Sequence, residues 1–432
     1  MKKYFFPALS FIIVAIVIFL VIQTFRGSDT KKSYSSTSSS TQSFLRAWGK
    51  NDDGQRAAGH SDGWAVSGDI IEISAGKSHT LALLMNGSVL SWGSNSDGQL
   101  GRATSKQFDI EPALVPDLTD VVHISAKGNY SLALKKDGTV WSWGDNFTGA
   151  LGSGDHLSHT APAQVVGLSE VISISAGNKF ALAIKEDATV WGWGGLCNEE
   201  NRSKALDLLN KVGSKLTQIE GGYYDVNSTG EGTYDRGEDC LNENTIGIKS
   251  TTPYQLSPDL TGATEISVGY GHALILKKDG SVWSFGCNLY GQLGAKHFDN
   301  EKKNSEPRKI TSLPKIVSIS AGFRHSLALT TKGEIYTWGI NASQDEKGNT
   351  FNAHTPVRLV FPGKFSVIRD GHDYSLAIDE NGKLLAWGMD NFNFLESGEP
   401  KFHSTPTTLT PGPIYRDMVA TGVAHILAIT KE

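Results

Sequence analysis

Cysteine is scarce in this chain: three in 432 residues, Cys197, Cys240 and Cys287, with no CxxC pair among them. A disulfide-stapled mini-fold and a thiolate zinc knuckle both need more. One intrachain bridge is the most that three can form. Cys197 with Cys240 is the pair that a segment folding back on itself would join outside the cytoplasm; two free thiols are the alternative, because spacing does not fix connectivity. Excess basic charge is missing as well. The formal net charge is −5, and no lysine and arginine stripe interleaved with aromatics runs through the sequence, so nucleic-acid binding is not expected. Catalytic signatures are also lacking: there is no HExxH, no glycine-rich phosphate loop and no Ser/His/Asp arrangement at a strand-to-helix junction. No catalytic residue, metal or cofactor is therefore assigned, and the chain is not read as an enzyme.

What is present starts at the N-terminus. Lys2 and Lys3 precede an uncharged apolar run from Tyr4 to Phe25, which as a helix is about 33 Å long, enough to cross a bilayer. Two lysines before the run against Arg26 behind it favour a cytoplasmic N-terminus. The stretch Gln23-Thr24-Phe25-Arg26-Gly27 lacks the small-x-small pattern that signal peptidase requires, which favours an uncleaved signal anchor over residues 1–26 against a removed signal peptide. Residues 27–43 follow as a Ser/Thr-rich linker, with SSTSSST from Ser35 to Thr41, too polar to bury. These features predict a single-pass cell-membrane protein that meets the lipid bilayer through residues 4–25 and carries the rest of its chain on the extracytoplasmic side.

The 47 glycines and 10 tryptophans are spread along the chain, which suggests many short strands joined by tight turns. A repeat organises them. One motif, I-S-A-G-x-x-H-x-L-A-L, runs from Ile73 to Leu83 and from Ile319 to Leu329, and variants bring it to seven copies with His79, Tyr130, Phe180, His272, His325, Tyr374 and His425 at its aromatic position. The second motif is an aromatic before glycine at Trp48, Trp92, Trp143, Trp193, Phe285, Trp338 and Trp387. In six units it falls 13 residues after the first (His79 to Trp92 is 92 − 79). Between the two lie pairs such as Asn86-Gly87 and Asp137-Gly138, the chemistry of two-residue hairpin turns with positive φ. Each unit is thus a hairpin of alternating strands, and such sheets stacked radially make a propeller.

His425 has no tryptophan strand after it, while Trp48 has no hairpin before it. Residues Phe44 to Gly49 are therefore expected to pair with the C-terminal strands and close a ring of seven blades, which removes the open sheet edges. The fold class predicted is all-β, a seven-bladed β-propeller over residues 44–432 behind one transmembrane helix. The repeated hairpin, the Trp-Gly strand and the loops Asn95-x-x-Gly98-Gln99-Leu100-Gly101 and Asn288-x-x-Gly291-Gln292-Leu293-Gly294 resemble the repeats of the regulator of chromosome condensation family. That resemblance implies the family's seven-bladed propeller and, as one activity among its members, guanine nucleotide exchange on a small GTPase.

The recurring histidines invite a metal or catalytic reading, but a position that also accepts Tyr130 or Phe180 fills space or makes a local hydrogen bond. The repeat aromatics read as core wedges. A calcium loop opening at Asp225 fails at Arg236, where a bidentate glutamate belongs. The irregular part is an insertion: Trp92 to Trp143 spans 51 residues, but Trp193 to Phe285 spans 92, placing an inter-blade insertion of about forty residues within 195–252. Ala205, Leu208, Leu209, Val212, Leu216 and Ile219 recur there at helical spacing. Tyr223, Tyr224 and Tyr234 are its candidate partner contacts, since loops on rigid scaffolds are frequent binding sites. The leading expectation is a protein-interaction scaffold for another protein. The alternatives are a regulator of a small GTPase and an envelope-acting propeller enzyme using Asp235, Glu238 and Asp239.

Overall fold

In the computed structural model the described residues are 43–57, 64–65, 70–104, 106–195, 224–226, 232–234, 250–288, 290–295, 306–344, 350–391, 394, 401–409 and 415–431. Blade 1 consists of Ile70–Ala75, His79–Leu84, Val89–Ser94 and Phe108–Leu114, paired side by side in that order. Blades 2 to 6 repeat it, beginning at Val121, Val171, Ala263, Ile316 and Phe365. Blade 7 is assembled from both ends of the chain: Tyr415–Thr421, His425–Lys431, Ser43–Gly49 and Trp64–Ala65. Its seam runs from Ser43 opposite Lys431 to Gly49 opposite His425, the closure expected for Phe44 to Gly49. The first strand of each blade touches the first strand of the next, and that of blade 7 returns to blade 1. The described residues form an all-β ring of seven four-stranded blades around a shaft.

The packing follows from where each strand stands. A second strand such as His79-Thr-Leu-Ala-Leu-Leu has a blade on either side, so nearly every position is buried and the sequence reads as a continuous apolar run. The first strand edges the shaft and shows a mixed pattern. The hairpin turns differ from expectation. Leu84 N–H reaches Ser88 O at 2.9 Å while Gly87 N–H reaches Leu84 O at 2.9 Å, a three-residue loop in which Gly87 has positive φ and Asn86 does not. A type I turn closed by one left-handed glycine satisfies the same hydrogen bonds and needs only that glycine.

Antiparallel pairing sorts the connections onto two ends of the ring. First-to-second turns and third-to-fourth loops share one end; second-to-third turns and the links between blades share the other. The insertion leaves the first end, the insertion face. It lies inside blade 3, between Val190–Gly194 and Ser250–Gln255, and not between blades, because the fourth strand follows the Trp-Gly strand after the loop. Ser43 enters the ring at the opposite end, the entry face. The expected transmembrane segment, residues 4–25, and the linker lie outside the described residues. Among the described residues no helix is long and apolar enough to cross a membrane.

Candidate functional site

The repeat aromatics are the joints between blades. Trp92, Trp143, Trp193 and Trp338 are fully buried, and each indole N–H donates to a carbonyl in the loop of the preceding blade: Gln55 at 3.0 Å, Gln99 at 2.9 Å, Ala150 at 2.8 Å and Gln292 at 2.8 Å. The Gly-Gln-Leu-Gly loops hold the acceptor in place. Gly101 sits at φ +67°, and a Cβ there would lie 2.7 Å from Trp143 Nε1, so only glycine lets the ring seat. Phe285 makes sense in the same terms. The blade before it carries the insertion where blades 1, 2 and 4 carry a Gly-x-Leu-Gly loop, and phenylalanine has no N–H to satisfy. Trp387 is 7% exposed, and Trp48 is half-buried against the blade 6–7 cluster.

The histidines join blades too. His79, His272 and His425 reach hydroxyls of the next blade, Ser131 at 2.9 Å, Ser326 at 2.8 Å and Thr80 at 3.2 Å. Those hydroxyls donate onward to the Gln99, Gln292 and Gln55 carbonyls, so the imidazoles donate from Nε2 and stay neutral. Burial pushes all three down to about 3. At blade 5 the loop carbonyl is replaced by a carboxylate: His325 Nε2 lies 2.8 Å from Asp370 Oδ1, to which Ser375 Oγ also donates at 2.8 Å. Burial alone would lower His325, but Asp370 outweighs it and holds the imidazole above its ordinary value. This Ser/His/Asp set is buried between blades, its hydroxyl committed to Asp370. Among the described residues no group of His, Cys, Asp or Glu is arranged to hold a metal.

The shaft is narrowed from within. Ser74, Ser125, Ser175, Ser267 and Ser320 each accept the backbone N–H of the next blade's first strand at 2.8–3.1 Å. Arg369 takes this position in blade 6 and Ala420 in blade 7. Two residues further on, six blades have glycine and blade 2 has Lys127. Lys127 Nζ crosses the shaft to donate to Ala321 O of blade 5 at 3.1 Å. Burial lowers this amine to about 8, with Asp370 working against the shift.

On the insertion face, the first-to-second turns of blades 4, 5 and 6 build an aromatic ledge. Tyr270 meets Phe323 edge-on at 4.3 Å, and Phe323 stacks on His372 at 3.8 Å. The Arg324 guanidinium lies 4.5 Å from the Phe323 ring and 5.1 Å from the Tyr290 ring, a cation–π arrangement. Sequence reasoning missed the ledge because its members come from turn positions that vary between repeats.

Of the candidate contacts, Tyr224 and Tyr234 are cross-strand partners in a hairpin, Tyr224–Val226 with Gly232–Tyr234, a two-stranded sheet separate from the seven blades. Tyr223, Asp235, Glu238, Asp239 and the helical pattern from Ala205 to Ile219 lie outside the described residues. Cys287 is buried and disulfide-bonded, whereas Cys197 and Cys240, the pair expected from the sequence, both lie outside the described residues. Blade 4 packs directly against blade 3, which brings Cys287 beside the root of the insertion despite its distance in sequence.

Comparison with known proteins agrees with this architecture. The sequence profile of the regulator of chromosome condensation repeat matches residues 86–134, 137–184 and 279–329, and a second profile of the same repeat matches 70–99, 121–150, 171–201, 263–292 and 316–344. The ultraviolet-B receptor UVR8 of Arabidopsis thaliana is 28% identical over 376 residues, 82% of this chain and 74% of that protein. The regulator of chromosome condensation of Xenopus laevis is 29% identical over 311 residues, 64% of this chain and 72% of that protein. The structure of Prp20p from Saccharomyces cerevisiae, described with its binding to Gsp1p and histones, superposes with a TM-score of 0.69 at 21% identity, covering 91% of this chain and 92% of that one. Repeats, ring and relatives together place the chain, as a seven-bladed propeller, in the regulator of chromosome condensation family.

Proposed function

We propose that this protein is a non-catalytic interaction module that binds another protein on its insertion face and is displayed outside the cytoplasmic membrane by residues 4–25. The observation that carries the reading is the asymmetry of the two ends. The insertion and the aromatic ledge share one face, and the chain enters the ring at the other, so a tether at Ser43 leaves the insertion face clear. The Cys287 disulfide supports an oxidising compartment, since such bonds rarely persist in the cytosol. The buried polar sets among the described residues link one blade to the next.

A second reading, nucleotide exchange on a small GTPase, is favoured by the likeness to Prp20p, whose structure was described with binding to Gsp1p. Compartment separates the two. Protease added to intact cells should degrade the propeller if it is displayed outside; full protection would reject that part of the proposal. Affinity capture with residues 42–432, beside a version lacking Leu196 to Lys249, tests the site. A single protein that is lost with the insertion, while the melting temperature holds, is the expected result. Retention by both versions would move the site off the insertion. Accelerated nucleotide release from a captured GTPase would favour the second reading.

A further inference from the structure

The links from one blade's outer strand to the next blade's inner strand begin alike. Val115, Val165, Leu256, Ile310 and Leu359 each donate their N–H to the third strand of their own blade at 2.8–2.9 Å. In the first four links a leucine then turns back into the space between blades. Leu118, Leu168 and Leu260 are buried at 2%, 3% and 0% exposure, and Leu313 packs on the blade 4–5 cluster. Three residues after Leu359 the chain has Pro362, which is exposed. Phe361 leans over instead, edge-on to Trp387 at 5.6 Å and to Phe365 at 6.4 Å. Trp387 is correspondingly less buried than the four fully enclosed wedge tryptophans.

The missing leucine coincides with a cavity of 560 Å³ on the entry face between blades 5 and 6, within the usual size of small-ligand sites, about 300–1,000 Å³. Ile335, Leu359, Phe361 and Phe365 give it apolar walls. Val360 at its lip is 83% exposed, the highest value among the exposed large hydrophobics of the described residues. Arg358 is paired with Glu334, which leaves the exposed Lys332 and Lys364 as the unbalanced charges of the lining. An apolar trough rimmed by two ammonium groups matches an aliphatic chain that ends in an anion: the chain covers the walls, and the head group meets the lysines without burying a charge.

We propose that this cavity binds an amphipathic anion, with a carboxylate or phosphate head at Lys332 and Lys364 and its alkyl chain along Phe361 and Leu359. A free fatty acid and an anionic membrane lipid share that chemistry. Both can reach the site, which opens on the end of the blades where Ser43 enters.

The ring closes within residues 43–431 and residues 42–432 form one compact unit, so that segment is the material for the test. Sodium decanoate and decylamine are titrated calorimetrically into the wild-type segment, into Lys332→Glu/Lys364→Glu, and into Pro362→Leu, which supplies the leucine found in the other links. Flotation with phosphatidylglycerol or phosphatidylcholine vesicles is run on the same proteins. Decanoate binding that weakens at least about tenfold in both variants identifies a free acid as ligand. Phosphatidylglycerol flotation lost in both variants, without decanoate binding, identifies a lipid head group. Equal binding of decylamine, or binding indifferent to both variants, overturns the proposal, as does no binding to either probe. The lysine variant changes only exposed side chains, so the test stands even if Pro362→Leu folds poorly.

Discussion

Trp143 offers a direct measure of how tightly one blade is joined to the next. Its ring is fully buried among Leu81, Leu83, Val115 and Leu118 of blade 1 and its outgoing link, and Ala133 of blade 2, and its N–H is held by Gln99 O at 2.9 Å. Trp143→Phe keeps most of the wedge and removes one hydrogen bond, worth about 1 kcal/mol; Ser131 still donates to Gln99 O, so no buried acceptor is orphaned. Trp143→Ala also leaves a cavity and costs about 3–5 kcal/mol in all. At about 2.1 cal/mol/K per residue, a unit of this size unfolds with an entropy of about 0.8 kcal/mol/K. The expected drop in melting temperature is then about 1 °C for phenylalanine and about 4–6 °C for alanine. Scanning calorimetry on residues 42–432 measures both. A phenylalanine variant as unstable as the alanine one, or an alanine shift under about 2 °C, would refute the wedge account.

Two further outcomes follow from the ring. A chain that starts at Lys50 lacks the strand paired to His425–Lys431, exposes a sheet edge, and should elute as oligomers in size-exclusion chromatography, where an unchanged monomer peak would contradict the closure. His79, His272 and His425, held at about 3 when folded, take up protons near 6.5 once unfolded, so stability falls as pH drops from about 6.5 towards 3, by about 1.4 kcal/mol per unit for each histidine. His325 has the opposite sign: its raised value supports the fold below about 6.5 and loses that support as pH climbs through the folded value. His272→Phe, which copies Phe180 of blade 3, should move the acid-unfolding midpoint to lower pH, and an unmoved midpoint would count against the burial assignment.

The ring was legible because its signals are local and repeated. The constant step of 13 residues reports one hairpin, and the unmatched Trp48 and His425 strands report the closure. What stayed hidden depends on neighbours that sequence spacing does not reveal. The partners of the histidines are hydroxyls on the next blade, 52 and 54 residues away for His79 and His272 and 345 away for His425, so repeat comparison argued against ligation but could not supply Ser131, Ser326 or Thr80. Lys127 stands where the other six blades have glycine, and only the ring brings it to Ala321 across the shaft. The aromatic ledge is assembled from turn residues with no common pattern, and no periodicity could have announced it.

The seam in blade 7 has a mechanical meaning. Ser43 stands opposite Lys431, and the two strands run antiparallel from that point to Gly49 and His425. A pull applied to both ends of the seam would part its rungs one after another, as a zipper opens, at low force. A load applied at the insertion face and resisted at Ser43 runs along the strand instead and strains every rung at once, so the geometry yields readily to traction on its own ends and resists traction directed along the blade.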